Sequence, residues 1–252
     1  MGRSVTGSQP KDWPRQSYQT FNAERPLGFW AGRGTKVFID HGLDDRLCQF
    51  INRSATFALP NKKVAYELTH IVLYLSEYGR RDPKLDCVGV QSLNFVGVIA
   101  YLDQNTDLLA EICIAFRFAG LTPSPIWEDW IVKTLSDFQV IEQPESTTSD
   151  AYHEYLVSAW IVLTAKCDGM GQAVLGGRLE FMRGDVAAGP LRNISNLLLG
   201  MDAERSPDWE VMRLIVEQVI DEEGYGILLQ AQNAVDDFAA FFEGLSRGNI
   251  AV

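Results

Sequence analysis

The chain of 252 residues is long enough to bury a substantial core, and 46% hydrophobic with 22% charged residues excludes a wholly disordered polypeptide. A formal net charge of −11 argues against extensive contact with nucleic acid phosphates. The charge is uneven: residues 1–36 carry six bases and two acids, a net of +4, while residues 37–252 carry 16 bases and 31 acids, a net of −15.

Residues 1–36 read as an extended, net-basic arm, rich in Ser, Gly, Gln, Pro and Arg and without sustained periodicity. Trp13, Tyr18, Phe21, Phe29 and Trp30 are spread through it. A solubility tail rarely holds so many aromatics, so the arm is expected to dock on a protein surface. Lys36–Asp40 forms a short extended run, after which the periodicity turns helical. Asp44 and Asp45 stand where a helix start favours negative charge.

Asn61 is the expected cap of a helix striped by Val64, Leu68, Ile71, Val72 and Leu75, with Gly79 and Asp82-Pro83 ending it. Residues 91–103 and 106–119 read as two helices, the second apolar on most sides and so central. Gly120 stops it, and Pro123-Ser-Pro125 opens a further helix bearing Trp127, Trp130 and Ile131. Residues 141–149 read as an internal linker. Helices are then expected from about 150 to Cys167 and at 171–183, 191–199, 207–223 and 227–243. In the fourth of these Ser206 is the expected cap and Pro207 the first helical residue. The fold class is therefore all-α: about ten helices in one or two packed lobes (37–140 and 150–252), preceded by the arm.

Familiar chemistries are weakly represented. Gly169-Met-Gly171 lacks the third glycine of a dinucleotide turn, and no nucleophile elbow or phosphate-binding loop is present. The four cysteines have no Cys-x-x-Cys spacing and read as reduced, largely buried thiols. Asp40, His41, Asp44, Asp45 and Cys48 form the densest run of potential ligands, but acids entering a helix serve the dipole without any metal. His70 and His153 make no His-Glu-x-x-His motif. No catalytic residue, metal or cofactor is assigned.

Charged spots remain. Asp221-Glu222-Glu223 reads as an acidic helix end, which suggests a cationic partner. Arg80, Arg81, Arg117 and Arg178 are the expected contacts for single-stranded nucleic acid along a narrow basic track, with Arg183 beside them. Within an apolar helix, however, Arg117 is expected first to pair with an acid such as Asp137.

Together these features point to a self-assembling structural protein whose arm binds the acidic body of a second copy. Helical viral coat and nucleocapsid proteins share that plan at the level of architecture. The alternatives are an acidic regulatory or immunity-type module that masks a basic partner, and a helical metal-dependent enzyme built on Asp40, His41, Asp44 and Asp45. No apolar leader opens the chain and no apolar run reaches about 18 residues. The expected location is therefore the cytoplasm, or the virion for a coat subunit, with no membrane partner.

Overall fold

The computed structural model describes residues 42–142, 151–164, 177–184 and 186–246. The arm, Asp40, His41, Cys167 and the Gly169-Met-Gly171 turn lie outside the described residues. The chain divides into residues 1–43 and a compact unit of residues 44–252.

The described residues are mostly helical. In chain order come α1 (Leu43–Ile51), α2 (Ser54–Phe57), α3 (Lys62–Leu75), α4 (Cys87–Leu102), α5 (Thr106–Phe118) and α6 (Pro125–Ser136). Strand β1 (Gln139–Glu142), α7 (Tyr152–Thr164), strand β2 (Leu179–Met182) and α8 (Leu191–Met201) follow. A short 3-10 turn (Asp202–Glu204) then leads to α9 (Trp209–Glu217), α10 (Glu222–Asn233) and α11 (Phe238–Ser246).

Capping chemistry sets many of these boundaries. Asn61, Asp86 and Asn105 adopt extended backbone, and their side chains accept first-turn N–H groups of α3, α4 and α5. Asp86 accepts two, from Val88 and Gly89, which starts α4 four residues before the position that periodicity alone suggests. Gly120 at φ 74° ends α5, and the Leu121 N–H closes the turn onto the Phe116 carbonyl at 2.9 Å.

Helices α4 and α5 form the centre, each buried around most of its circumference. Helices α3, α6 and α7 pack against α5, while α2 and α10 pack against α4. The buried cluster runs from Ile51 through Val157 and Ile161 to Leu191 and Leu245, so helices on both sides of residues 143–150 share one core.

Three sequence expectations change here. The single helix expected at 227–243 is two, Glu222–Asn233 and Phe238–Ser246, parted where the Asp237 side chain accepts the Ala240 N–H at 3.0 Å. The helix expected at 171–183 is strand at Leu179–Met182, paired antiparallel with Gln139–Glu142 in the register Val140↔Phe181. The strand pairs with a segment on the far side of α7 in the sequence, and its Phe181 ring lies 4.9 Å from that of Tyr155. The helix expected at 207–223 is also broken. Asp221 takes extended backbone, and its side chain accepts the Gly224 N–H at 2.8 Å, so one helix ends at Glu217 and the next starts at Glu222. Asp208, rather than Ser206, caps α9 by accepting the Glu210 N–H; Ser206 accepts the N–H of Asp208 itself.

Candidate functional site

The acidic run Asp221–Glu223 begins α10 and does not end a helix. Its carboxylates stand at the positive end of the helix dipole, which removes the electrostatic reason to expect a cation there. The Asp221 cap alone contributes about 1 kcal/mol. On the same helix Tyr225 and Leu229 are exposed one turn apart, three and seven residues beyond Glu222, so all three share one face. Val211 and Leu214 are exposed on α9 among Glu210, Arg213 and Glu217, with Arg213 3.8 Å from Glu210, so the net acid of this face comes mainly from α10. The C-terminal helices thus present apolar side chains on an acidic background.

The arginines are dispersed. Arg117 donates through Nε and Nη2 to Glu128 Oε1 at 2.9 and 2.5 Å, tying α5 to α6. The expected ion pair is present, but with Glu128 in place of Asp137; Asp137 acts electrostatically on Arg183, which is bonded to Glu154. Arg81 pairs with Asp44 at 3.0 Å and lies 3.9 Å from Glu77. Arg80 and Arg178 are exposed.

The thiols also depart from expectation. Cys113 is buried, Cys48 half-buried and Cys87 exposed. Burial, then the neighbouring Asp44, raises the Cys48 thiol above its ordinary range. Asp44 is committed to Arg81, and among the described residues no group of three or more His, Cys, Asp or Glu is arranged to hold a metal.

Periodicity did not reveal the densest titratable cluster. It joins α3, α5 and α7. Asp107 and Glu111 lie one turn apart on α5. Asp107 accepts the Tyr66 hydroxyl at 2.6 Å through Oδ2, and its Oδ1 lies 2.8 Å from His153 Nδ1. Glu111 accepts the Thr69 hydroxyl at 2.5 Å, and the same oxygen lies 3.6 Å from His70 Nε2. Two of the chain's three histidines therefore meet the same pair of carboxylates. Both imidazoles are largely exposed, at 66% and 60%, while the Glu111 side chain is 8% exposed. The sequence signal was the i,i+4 spacing of Tyr66 with His70 and of Asp107 with Glu111, which puts each pair on one helix face.

Burial raises the Glu111 carboxyl above its ordinary range; the Thr69 hydrogen bond and His70 pull the other way and do not cancel it. The folded state therefore holds this proton more tightly than the unfolded chain does. The stability it contributes is present in full below the usual carboxylate range and is lost as pH rises through the folded value. Glu111→Gln keeps an acceptor for Thr69 and removes the buried charge. It should raise the unfolding midpoint at about pH 8 and leave it unchanged at about pH 4, as read by thermal denaturation.

A pocket of about 120 Å³ opens between α3, α4 and α5, lined by Leu59, Ala65, Ile99, Ala100 and Leu108, with the Lys62–Asp103 ion pair (3.3 Å) beside it. No described helix is long and apolar enough to cross a membrane.

Comparison with known proteins gives one match. Residues 17–248 match the family model described as "Domain of unknown function (DUF6902)". No curated protein and no solved structure matches the chain.

Proposed function

The chain belongs to the DUF6902 family, and we propose that it acts by contact, as a self-associating protein whose basic N-terminal arm binds the acidic C-terminal helices of a second copy. What supports this reading is the complementary composition of the N-terminal segment and the exposed C-terminal helices of one chain. Residues 1–36 are net +4 and hold five aromatics. Helices α9 and α10 set exposed Val211, Leu214, Tyr225 and Leu229 among Glu210, Glu217, Glu222 and Glu223. Opposite charge would steer the encounter, and apolar anchors would supply the residence time. A head-to-tail contact of this kind builds rings or filaments, whereas two copies that exchange arms reciprocally close as a dimer.

Nucleic acid is not part of this reading. Arg117 and Arg81 are spent on Glu128 and Asp44, which leaves less of the basic track than the sequence offered.

Light scattering on a sizing column tests the proposal. The wild-type chain should run as a multiple of its 28.2 kDa mass. Raising salt from about 50 mM to about 500 mM should drive it toward the monomer, because screening weakens exposed charge pairs. Removing residues 1–36, or making the pair Tyr225→Asp and Leu229→Asp, should give a monomer at every salt concentration. A wild-type chain that is monomeric throughout would sink the idea and favour a module that masks a different, basic partner. Nuclease-sensitive ultraviolet absorbance in the associated species would restore nucleic acid as a component.

A further inference from the structure

The pocket between α3, α4 and α5 has walls that belong to the core. Ala65, Ile99, Ala100, Leu108 and Leu191 line it and are between 0% and 7% exposed. Half-buried Leu59 completes the apolar lining. Protein interiors leave few voids larger than a water molecule. Here the volume is about 120 Å³, and it exists because Ala65 of α3 and Ala100 of α4 are small; a larger side chain at either would take up part of it. An apolar cavity on this order admits roughly one benzene ring or a branched chain of similar bulk.

The pocket also carries one charge of each sign. Lys62 and Asp103 both line it, and Lys62 Nζ lies 3.3 Å from Asp103 Oδ2. Lys62 is the first residue of α3, and Asp103 is the cap that follows α4. Each stands at the end of its helix where the dipole disfavours its charge, so helix stability does not account for the pair. The side chains are 71% and 34% exposed, and an ion pair that open to solvent contributes little to stability. Its charges can therefore change partners at small cost. Asn61, also in the lining, uses Oδ1 to accept the Val64 N–H at 3.2 Å, and its amide nitrogen is a donor. One chemistry meets all of these features: an apolar tail, a carboxylate for Lys62 and an ammonium for Asp103. On an α-amino acid both charges and the tail leave from a single carbon, which suits two rim charges in contact with each other. A fatty acid or an alkylamine satisfies only one of them.

We propose that this pocket binds a small aliphatic α-amino acid of the size of leucine, with its side chain among Ala65, Ala100 and Leu108, its carboxylate on Lys62 and its ammonium on Asp103. Each rim charge exchanges one opposite charge for another, and none is left unpaired. None of these residues belongs to α9 or α10, so ligand binding is separable from self-association.

Calorimetric titration of the full-length protein with L-leucine tests this, and should give saturable binding with a Kd of about 0.1–1 mM, the range for so small a ligand. L-leucine at about 20 mM should raise the unfolding midpoint by about 5 °C, and glycine at the same concentration should not. The analogue 4-methylpentanoate lacks the ammonium and isopentylamine lacks the carboxylate, so each should bind about tenfold more weakly than leucine. Lys62→Gln should weaken leucine about tenfold without weakening isopentylamine, and Asp103→Asn should do the same without weakening 4-methylpentanoate. Both substitutions are isosteric or nearly so at the rim, and circular dichroism should show the fold unchanged. Absence of saturation by L-leucine at about 20 mM, equal binding of leucine and its two analogues, or variants that bind leucine as the wild type does would each overturn the site.

Discussion

Gly189→Ala should cost about 3 kcal/mol of stability, a fall of about 9 °C in unfolding midpoint for a chain of this size. An added Cβ at this position would lie 2.0 Å from the Leu102 carbonyl oxygen, 2.8 Å from its carbon and 3.0 Å from the carbonyl carbon of Asp103. These are backbone atoms at the end of α4, and they have little room to retreat. The Asp103 N–H is bonded to the Ile99 carbonyl at 2.9 Å, and the Asn105 N–H to that of Ala100 at 2.9 Å. Gln104 between them already sits at φ 53°, a conformation that side chains tolerate poorly. The strain must therefore go into the start of α8, where Pro190 follows and Leu191 is buried. Chemical denaturation of Gly189→Ala beside Gly200→Ala reads the effect. Gly200 is exposed, and nothing lies within 4 Å of its added Cβ, so that variant should be neutral or gain up to about 1 kcal/mol from helix propensity. Equal stabilities for the two variants would mean that α4 and the entry to α8 do not approach as described. Because Gly224 of α10 also packs on Pro190, at 3.3 Å for its added Cβ, the same substitution should weaken self-association.

The pattern of what was legible follows the range of the forces involved. Central α5 could be read from Leu108, Leu109, Ile112 and Ile114 because burial on all sides leaves an apolar segment whatever surrounds it. The Asn61 cap was equally readable, since its bond to the Val64 N–H spans three residues. Asp221 was misread because periodicity was weighed above capping. The apolar stripe runs on from Trp209 to Ile220 past the helix end at Glu217, and the Asp-x-x-Gly contact marks where the next helix starts. The strand at Leu179–Met182 depended on Gln139–Glu142, about 40 residues earlier in sequence, and no local signal reports a pairing partner. The candidate sites divide in the same way. That Arg117 needs an acid followed from burial alone, but the choice of Glu128 over Asp137 is a matter of helix packing. His70 and His153 were each unremarkable by spacing. Their meeting at Asp107 and Glu111 exists only because α3 and α7 flank the same helix.

Gly97→Ala and Trp127→Phe should each destabilise the protein, by about 3 and about 2 kcal/mol, yet the double variant should lose 1–2 kcal/mol less than the sum, as expected for residues in direct contact, roughly. Trp127 of α6 is fully buried, and its ring lies against Phe116 of α5 and the backbone of α4 at Gly97. A Cβ on residue 97 would stand 2.4 Å from Cη2, 2.7 Å from Cζ3 and 2.9 Å from Cζ2, all on the far rim of the indole. A rigid ring in a closed site cannot swing away, so α4 and α6 must separate and part of the surrounding core opens. Phenylalanine lacks that far rim. Alone it leaves a gap, although it also removes an indole N–H that has no hydrogen-bond partner among the described residues. Beside alanine at 97 the gap is where the new methyl goes. Unfolding of the four proteins closes a double-mutant cycle, and additivity within about 0.5 kcal/mol would show that the two residues do not touch. Coupling of the expected sign would establish Gly97 as the position that admits Trp127, and with it the seating of α6, the helix whose Glu128 binds the half-buried Arg117.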